Sequence, residues 1–501
     1  MSPVTRHRTL PVRRPRARGF SLIEVMVALI AGLIVALGVI GVSREATNTL
    51  HEEVRIASAE TGLRIAVERL RADLQRASYM STGNMQGDPL IAHLPGGNNL
   101  SNLSVPPTTT MQNLAGIHLY SGGAVATGLA PTTSQPTTGT PAAQITPDAI
   151  DIGGNFSSTD EFPAFSCGGA TVPVVTPPAA NPCGGPVICL EMNTPAMWRI
   201  RNQPTPSTAT NATALAALQA AFYPSTSTTA QYMARITDPS GHYQYVTTCS
   251  TGGASTVIGG SVAAGFQVNL TGVTVLTPTS TGGQGGIGGI SAGLVVISPV
   301  EVAHWDLQPA NALGTNYLFG AIGTAATVDP LEFVLTRGYV DLATGAVDPL
   351  TLEVVAEYAV DLKFGFTVDE SNAATVTPPG NYGAYPLYAY TVDDSTHNAG
   401  WASPGVWGHS AAPGTAWVPA VGTSLQGQPE PQRIRSVRAR IGIRSPFGDR
   451  SADITPPTAA GNYLYRYQLL PSGPTAPKLN FARVRESITE VTLSNQARYF
   501  W

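Results

Sequence analysis

The sequence predicts an α+β protein: one long N-terminal helix packed on an antiparallel β-sheet, with large loop-rich β insertions. Three observations predict it. An apolar run extends from Phe20 to Val42, a helical period follows from Glu60 to Ala77, and beyond Met80 short β-branched bursts alternate with clusters of Gly, Pro, Thr and Asn.

The apolar run reads FSLIEVMVALIAGLIVALGVIGV, and Glu24 is its one ionisable residue. As a helix it would be about 35 Å long, enough to cross a hydrocarbon core of roughly 30 Å. It exceeds the h-region of a secretory signal, which spans about 7 to 15 residues. Arg6, Arg8, Arg13, Arg14, Arg16 and Arg18 precede it with no acidic residue among them. That asymmetry places the N-terminus in the cytoplasm and the rest of the chain outside, with a single membrane pass.

Glu24 requires an explanation, because a carboxylate deep in lipid costs at least about 2 to 3 kcal/mol unless it is neutralised or paired. It lies four positions inside the run, and no basic residue follows one turn further in. A position near the membrane surface is the bland account. A partner supplied by another molecule is the sharper one.

From Glu60 to Ala77 the residues Leu63, Val67, Leu70, Leu74 and Ala77 recur at steps of four and three, an apolar stripe on one helix face. Glu60, Arg64 and Glu68 lie at i, i+4 spacing on another face. Taken as one helix, Phe20 to Met80 would reach about 90 Å. Its second half would leave the stripe bare unless the head packs on it.

In the head, bursts at 116–120, 149–152, 243–247, 294–302, 333–340, 352–368, 437–443, 463–469 and 484–493 read as strands. Within one of them Val437, Ala439, Ile441 and Ile443 alternate with Arg438, Arg440 and Arg444, which predicts a strand with one wet face. Residues 132–146, 251–293 and 371–431 look like insertions rich in Gly, Pro, Thr and Ser. The last carries Tyr382, Tyr385, Tyr388, Tyr390, Trp401, Trp407 and Trp417, either loop anchors or a binding surface. The organisation is therefore a basic leader (1–19), a membrane-spanning half-helix (20–42), an amphipathic half-helix (43–80) and a β-rich head (81–501).

Only 12% of the residues are charged and the formal net charge is -4, so no global field draws the chain to nucleic acid. Cys167, Cys183, Cys189 and Cys249 are even in number and none forms CxxC. Zinc sites usually use shorter ligand pairs, so two structural disulfides in an oxidising compartment are the better reading, with any of three connectivities. One disulfide with two buried thiols is the alternative.

The stretch Arg18-Gly19-Phe20-Ser21-Leu22-Ile23-Glu24 resembles the prepilin cleavage motif of type IV pilins and type II secretion pseudopilins: a basic leader, Gly, an aromatic residue, and Glu five positions into the mature chain. The resemblance implies a type IV pilin fold and cleavage by a prepilin peptidase between Gly19 and Phe20, followed by N-methylation of Phe20. It also implies that Glu24 meets the N-terminal amine of a neighbouring subunit in the filament core. Later pieces resemble the PilW family of minor pilins: ETGLRIAVERLRADLQRASYM its helix end, LEVVAEYAVDLKFGFTVD its central strand pair, RIRSVRARIGIRS and RESITEVTLSN its last strands.

That family implies a structural subunit of the priming or tip complex of a type IV pilus. The subunit would be anchored in the inner membrane with a periplasmic head and then reach the cell surface. Its implied partners are the prepilin peptidase, other minor pilins, the major pilin, the inner-membrane assembly platform and a tip adhesin. The alternatives are a type II secretion pseudopilin, a tip-borne adhesive module and a membrane-anchored enzyme.

The chemistry for an enzyme is weak. Gly283-Gln284-Gly285-Gly286-Ile287-Gly288 matches GxGxxG, but no helical pattern follows it. Gly289-Ile290-Ser291-Ala292-Gly293 matches GxSxG, yet glycines rather than a strand precede Ser291, and His304 comes before Asp306, the reverse of hydrolase order. His304, beside Trp305, reads as a partly buried strand residue. Asp160-Glu161 and Asp393-Asp394 read as solvated carboxylates, and neither an EF-hand loop nor HExxH occurs. No catalytic residue, cofactor or metal is expected.

Overall fold

The computed structural model describes residues 21–85, 88, 90–91, 114–120, 147–166, 184–191, 194–201, 212–225, 227, 229–249, 267–271, 295–310, 313, 332–369, 387–389, 431–448, 466–468 and 481–496. They fall in two compact units, Met1–Ala57 and Ser58–Trp501. Helix α1, Leu22–Gln75, contributes to both.

In the first unit the helix is apolar around its whole circumference from Val25 to Val42. Leu22, Ile23, Met26, Leu29, Ile30, Leu33, Ile34, Leu37 and Ile40 are all exposed, and the most apolar 18-residue window, at a mean hydropathy of 2.9, is 0% buried. A helix hydrophobic all round belongs in lipid or inside an assembly.

In the second unit α1 buries Ala59, Leu63, Ala66, Leu70, Asp73 and Leu74. The predicted stripe is present, with Ala66 fully buried and Val67 at its margin. The helix stops at Gln75, five residues short of the predicted Met80. Arg76 and Ala77 donate to the carbonyls of Asp73 (2.9 Å) and Leu74 (3.1 Å), tightening the last turn, and Ser78 and Met80 take positive φ of 59° and 50°. Strand β2, Ala149–Gly154, captures the released backbone: Ser78 N–H donates to Gly153 O at 2.8 Å, and Asn155 N–H to Tyr79 O at 2.9 Å. A Cβ on Gly154 would lie 2.3 Å from the Arg76 carbonyl oxygen, so only glycine admits this approach.

Strands β1 (Ile117–Tyr120), β2, β8 (Val295–Pro309), β9 (Phe333–Tyr339) and β10 (Glu353–Glu357) pair antiparallel in that spatial order. A second sheet runs β12-β11-β13-β15-β14, from Leu387–Ala389, Ala359–Asp369, Ile434–Arg444, Phe481–Thr492 and Arg466–Gln468. Trp305 and Leu335 of the first sheet and Phe364, Val437, Ile441 and Val491 of the second join Leu63, Leu70 and Leu74 of α1 in one apolar cluster. Each fully buried Leu contributes about 1.5–3 kcal/mol there.

The long β8 belongs to two structures. Its second half pairs with β2 and β9, while its first half pairs with β3 (Phe162–Ser166) and β5 (Gln231–Thr237). With β4 (Gly184–Leu190), β7 (Gln267–Thr271) and β6 (Tyr243–Cys249), the pairings β8-β3-β4-β7-β6-β5-β8 close on themselves. The result is a six-stranded antiparallel barrel, which removes the sheet edges. Phe162, Ile188, Ile236, Val246 and Leu270 fill it together with Leu218 and Phe222 of α3, Ala212–Phe222; a shorter helix, α2 (Pro195–Arg201), adds Met197. These helices correct the expectation that helical structure ends near Met80; α3, ATALAALQAAF, is rich in the strongest helix formers.

The wet face predicted for β13 is also corrected. Val437, Ala439, Ile441 and Ile443 do face the core, but Arg440 and Arg444 are buried as well. Arg440 Nε donates to Asp361 Oδ2 at 2.6 Å, and Arg444 Nη1 donates to the carbonyls of Ser445 (3.0 Å) and Pro446 (3.1 Å) with its guanidinium 4.9 Å from the Tyr358 ring. Arg438 alone of the three remains half-exposed, 2.9 Å from Glu490. Asp361 and the Tyr358 ring lie beside the Arg440 and Arg444 guanidiniums, so that part of the second face is not wet.

Candidate functional site

The helix start is built from two side chains. Ser21 immediately precedes α1, and its Oγ accepts the Glu24 N–H at 3.2 Å, while Glu24 Oε2 accepts the Ser21 N–H at 2.9 Å. This is a reciprocal capping box, which satisfies two amide donors that a helix N-terminus leaves open. The negative charge also sits where the helix dipole favours it. The S-x-x-E spacing is plain in the sequence, but attention to the charge of Glu24 alone misses it. Gly19 and Phe20 lie outside the described residues.

Beyond this cap, every side chain through Val42 is apolar or small apart from Ser21 and Glu24 themselves. Residues 14–40 match the prokaryotic N-terminal methylation motif. No curated protein matches the chain, and neither does any solved structure. The methylation motif covers the last basic residues, the Gly19-Phe20 pair, Glu24 and most of the apolar run. It supports a type IV pilin- or pseudopilin-like protein processed as a prepilin. The apolar helix and the motif together fit anchoring in an inner membrane. A long N-terminal helix with antiparallel sheets fits a pilin-like α+β layout.

The head holds a second conspicuous constellation, missed by sequence reasoning because its members are far apart in the chain. Asp73 on α1 accepts Arg337 Nε at 2.6 Å and Trp305 Nε1 at 2.9 Å. Arg337 also donates to Tyr339 Oη at 3.1 Å, and its guanidinium lies 4.6 Å from that ring. Burial opposes its charge, but Asp73 keeps the guanidinium ionised. This group fixes the helix to β8 and β9.

His304 is fully buried, which corrects the expectation of partial burial. Its Nδ1 is 2.6 Å from Asp151 Oδ1 and its Nε2 3.5 Å from Asp306 Oδ2, while Tyr120 Oη donates to Asp151 Oδ2 at 2.7 Å. Burial works against the imidazolium, yet the two carboxylates outweigh it and push the imidazole up to about 10. The ion-paired His304 joins β2 to β8 through Asp151.

Asp160 and Glu161 are not merely solvated. Asp160 Oδ2 accepts Arg199 Nε at 2.9 Å, and Glu161 Oε1 accepts Arg235 Nη2 at 3.1 Å. Cys189, in the barrel wall, is disulfide-bonded. Cys167, Cys183, the Cys249 side chain, Ser291, the GxGxxG segment and Asp393-Asp394 lie outside the described residues, as does the aromatic insertion apart from the backbone of β12.

Proposed function

We propose that this chain is a minor pilin-like subunit of the PilW type that acts in the priming or tip complex of a type IV pilus. The observation that carries the reading is the capped, wholly unburied apolar helix with a single carboxylate in its first turn. Such a surface needs lipid before assembly and neighbouring helices after it. In this reading the peptidase cuts after Gly19, Phe20 is methylated, and the amine of Phe20 on one subunit meets Glu24 on the next. Partners are other minor pilins, the major pilin and the inner-membrane platform.

The pieces that resemble the PilW family, residues 352–369, 433–445 and 485–495, become β10, β11, β13 and β15, three of which form the middle of the second sheet. The barrel, which has no counterpart in that resemblance, is inserted between β2 and the second half of β8. The head is noncatalytic in this reading. Its four cysteines form two intrachain disulfides, so alkylatable thiols should appear only after reduction; four reactive thiols beforehand would contradict that.

The test of function is a deletion strain. Surface pili are expected to fall sharply and to return on complementation, with type II secretion unchanged. Lost secretion with normal piliation would favour the pseudopilin, and no change in either would sink both readings.

A further inference from the structure

Glu301 lies where β8 passes from the barrel to the sheet that packs on α1: Val300 pairs with Met233 of the barrel, and Glu301 with Gly154 of β2. Its carboxyl group is buried and reaches the chain that connects β2 to β3. Oε2 accepts the Phe156 N–H at 2.9 Å, and Oε1 is 2.5 Å from Ser157 Oγ. Ser157 Oγ is also 2.8 Å from the carbonyl oxygen of Ala221, at the end of α3. The same connection is tied to the segment after α1, because Arg76 Nη1 donates to the Phe156 carbonyl and Tyr79 Oη donates to that of Thr159 at 3.2 Å.

The count of hydrogens decides the chemistry. Three oxygens stand in a row, Glu301 Oε1, Ser157 Oγ and Ala221 O, and a hydroxyl supplies one hydrogen. With Glu301 ionised, that hydrogen serves either the carboxylate or the carbonyl, and the other contact faces oxygen against oxygen. With Glu301 protonated, both contacts are made at once, and 2.5 Å is at the short end for O–H···O.

We propose that Glu301 is a carboxylic acid in the folded protein, completing the relay Glu301 Oε1–H to Ser157 Oγ–H to Ala221 O, and that its loss of a proton to solvent loosens the join between barrel and helix-packing sheet. The charged and titratable groups around it are Arg337 and Tyr339 on β9, Asp73 on α1 and Arg76 beyond its end, with Asp160 and Glu161 engaged by Arg199 and Arg235. Burial is the largest influence on the carboxyl and outweighs Ser157, the backbone donors and Arg337, raising it from 4.5 to about 7. Because the folded value lies above the unfolded one, the relay's stabilisation is fully present below about 4.5 and is lost as the pH rises through about 7.

The test is hydrogen exchange, followed by mass spectrometry on the full-length protein in detergent and corrected for intrinsic rates. Protection of peptides covering residues 155–161 is expected to fall roughly tenfold between pH 6 and pH 8.5. In Glu301→Gln, whose amide donates to Ser157 and whose oxygen accepts from Phe156, protection should not change with pH. Equal protection of the wild type at both pH values would overturn the proposal even if the variant failed to fold. A parallel fall in wild type and Glu301→Gln would overturn it as well.

Discussion

Replacing Asp73 by alanine is expected to destabilise the head by about 3–5 kcal/mol, measured by denaturant unfolding of the protein in detergent. The substitution removes the carboxylate that pairs with Arg337 at 2.6 Å, and both side chains are almost wholly buried. Arg337 would be left as an uncompensated charge between the Phe156 and Tyr339 rings, and Trp305 Nε1 would lose its acceptor. The attraction gained by the native pair is largely offset by desolvation, so the double change Asp73→Leu with Arg337→Met should recover much of the loss. Arg69→Ala is the control. It breaks the Arg69–Glu353 pair, whose side chains are 46% and 27% exposed, and should cost about 1 kcal/mol or less. Asp73→Ala no worse than Arg69→Ala would show that the buried pair does not hold the helix to β8 and β9.

Glu24→Ala is expected to lose its leader normally and yet enter filaments roughly tenfold less, a difference equivalent to about 1.4 kcal/mol in assembly. In the proposed reading, leader removal depends on the Arg-rich segment and Gly19. The Glu24 carboxylate, one helical turn further along, acts in that reading in assembly, when a neighbour's amine arrives. Its capping role provides the necessary control, because Ser21→Ala breaks the other half of the capping box, the Ser21 Oγ acceptor for the Glu24 N–H, while keeping the charge. Loss of a cap costs about 1 kcal/mol of helix stability, and the long helix in lipid tolerates that. Ser21→Ala should therefore incorporate at close to the wild-type level. An immunoblot for processed mass beside sheared-filament yield reads both variants. Equal defects in the two would assign the effect to the cap and not to the charge.

The helix is legible in the sequence because its two periods are local: an unbroken apolar run, then a stripe at steps of four and three. The barrel is far less legible. Its closure depends on β8 pairing with β3 and β5 over long separations, and strands such as FPAFS and GGPVICL carry Pro and Gly that argue against strands. Asp73 shows a different limit. Within RADLQ it reads as a surface residue, and nothing local indicates that Trp305 and Arg337 will meet it. The alternation in β13 tells which residues share a face, but only the tertiary fold decides whether that face is wet. At the N-terminus the cleavage pattern and Glu24 are local signals, and the methylation motif match rests on the same residues.

The central claim is that the chain is processed as a prepilin and built into a filament. Its most direct test is the mass of the N-terminal peptide of the protein recovered from sheared filaments. The account predicts a peptide that begins at Phe20, carries one added methyl group and retains Glu24. Recovery only from the membrane fraction, with residues 1–19 still attached, would contradict it.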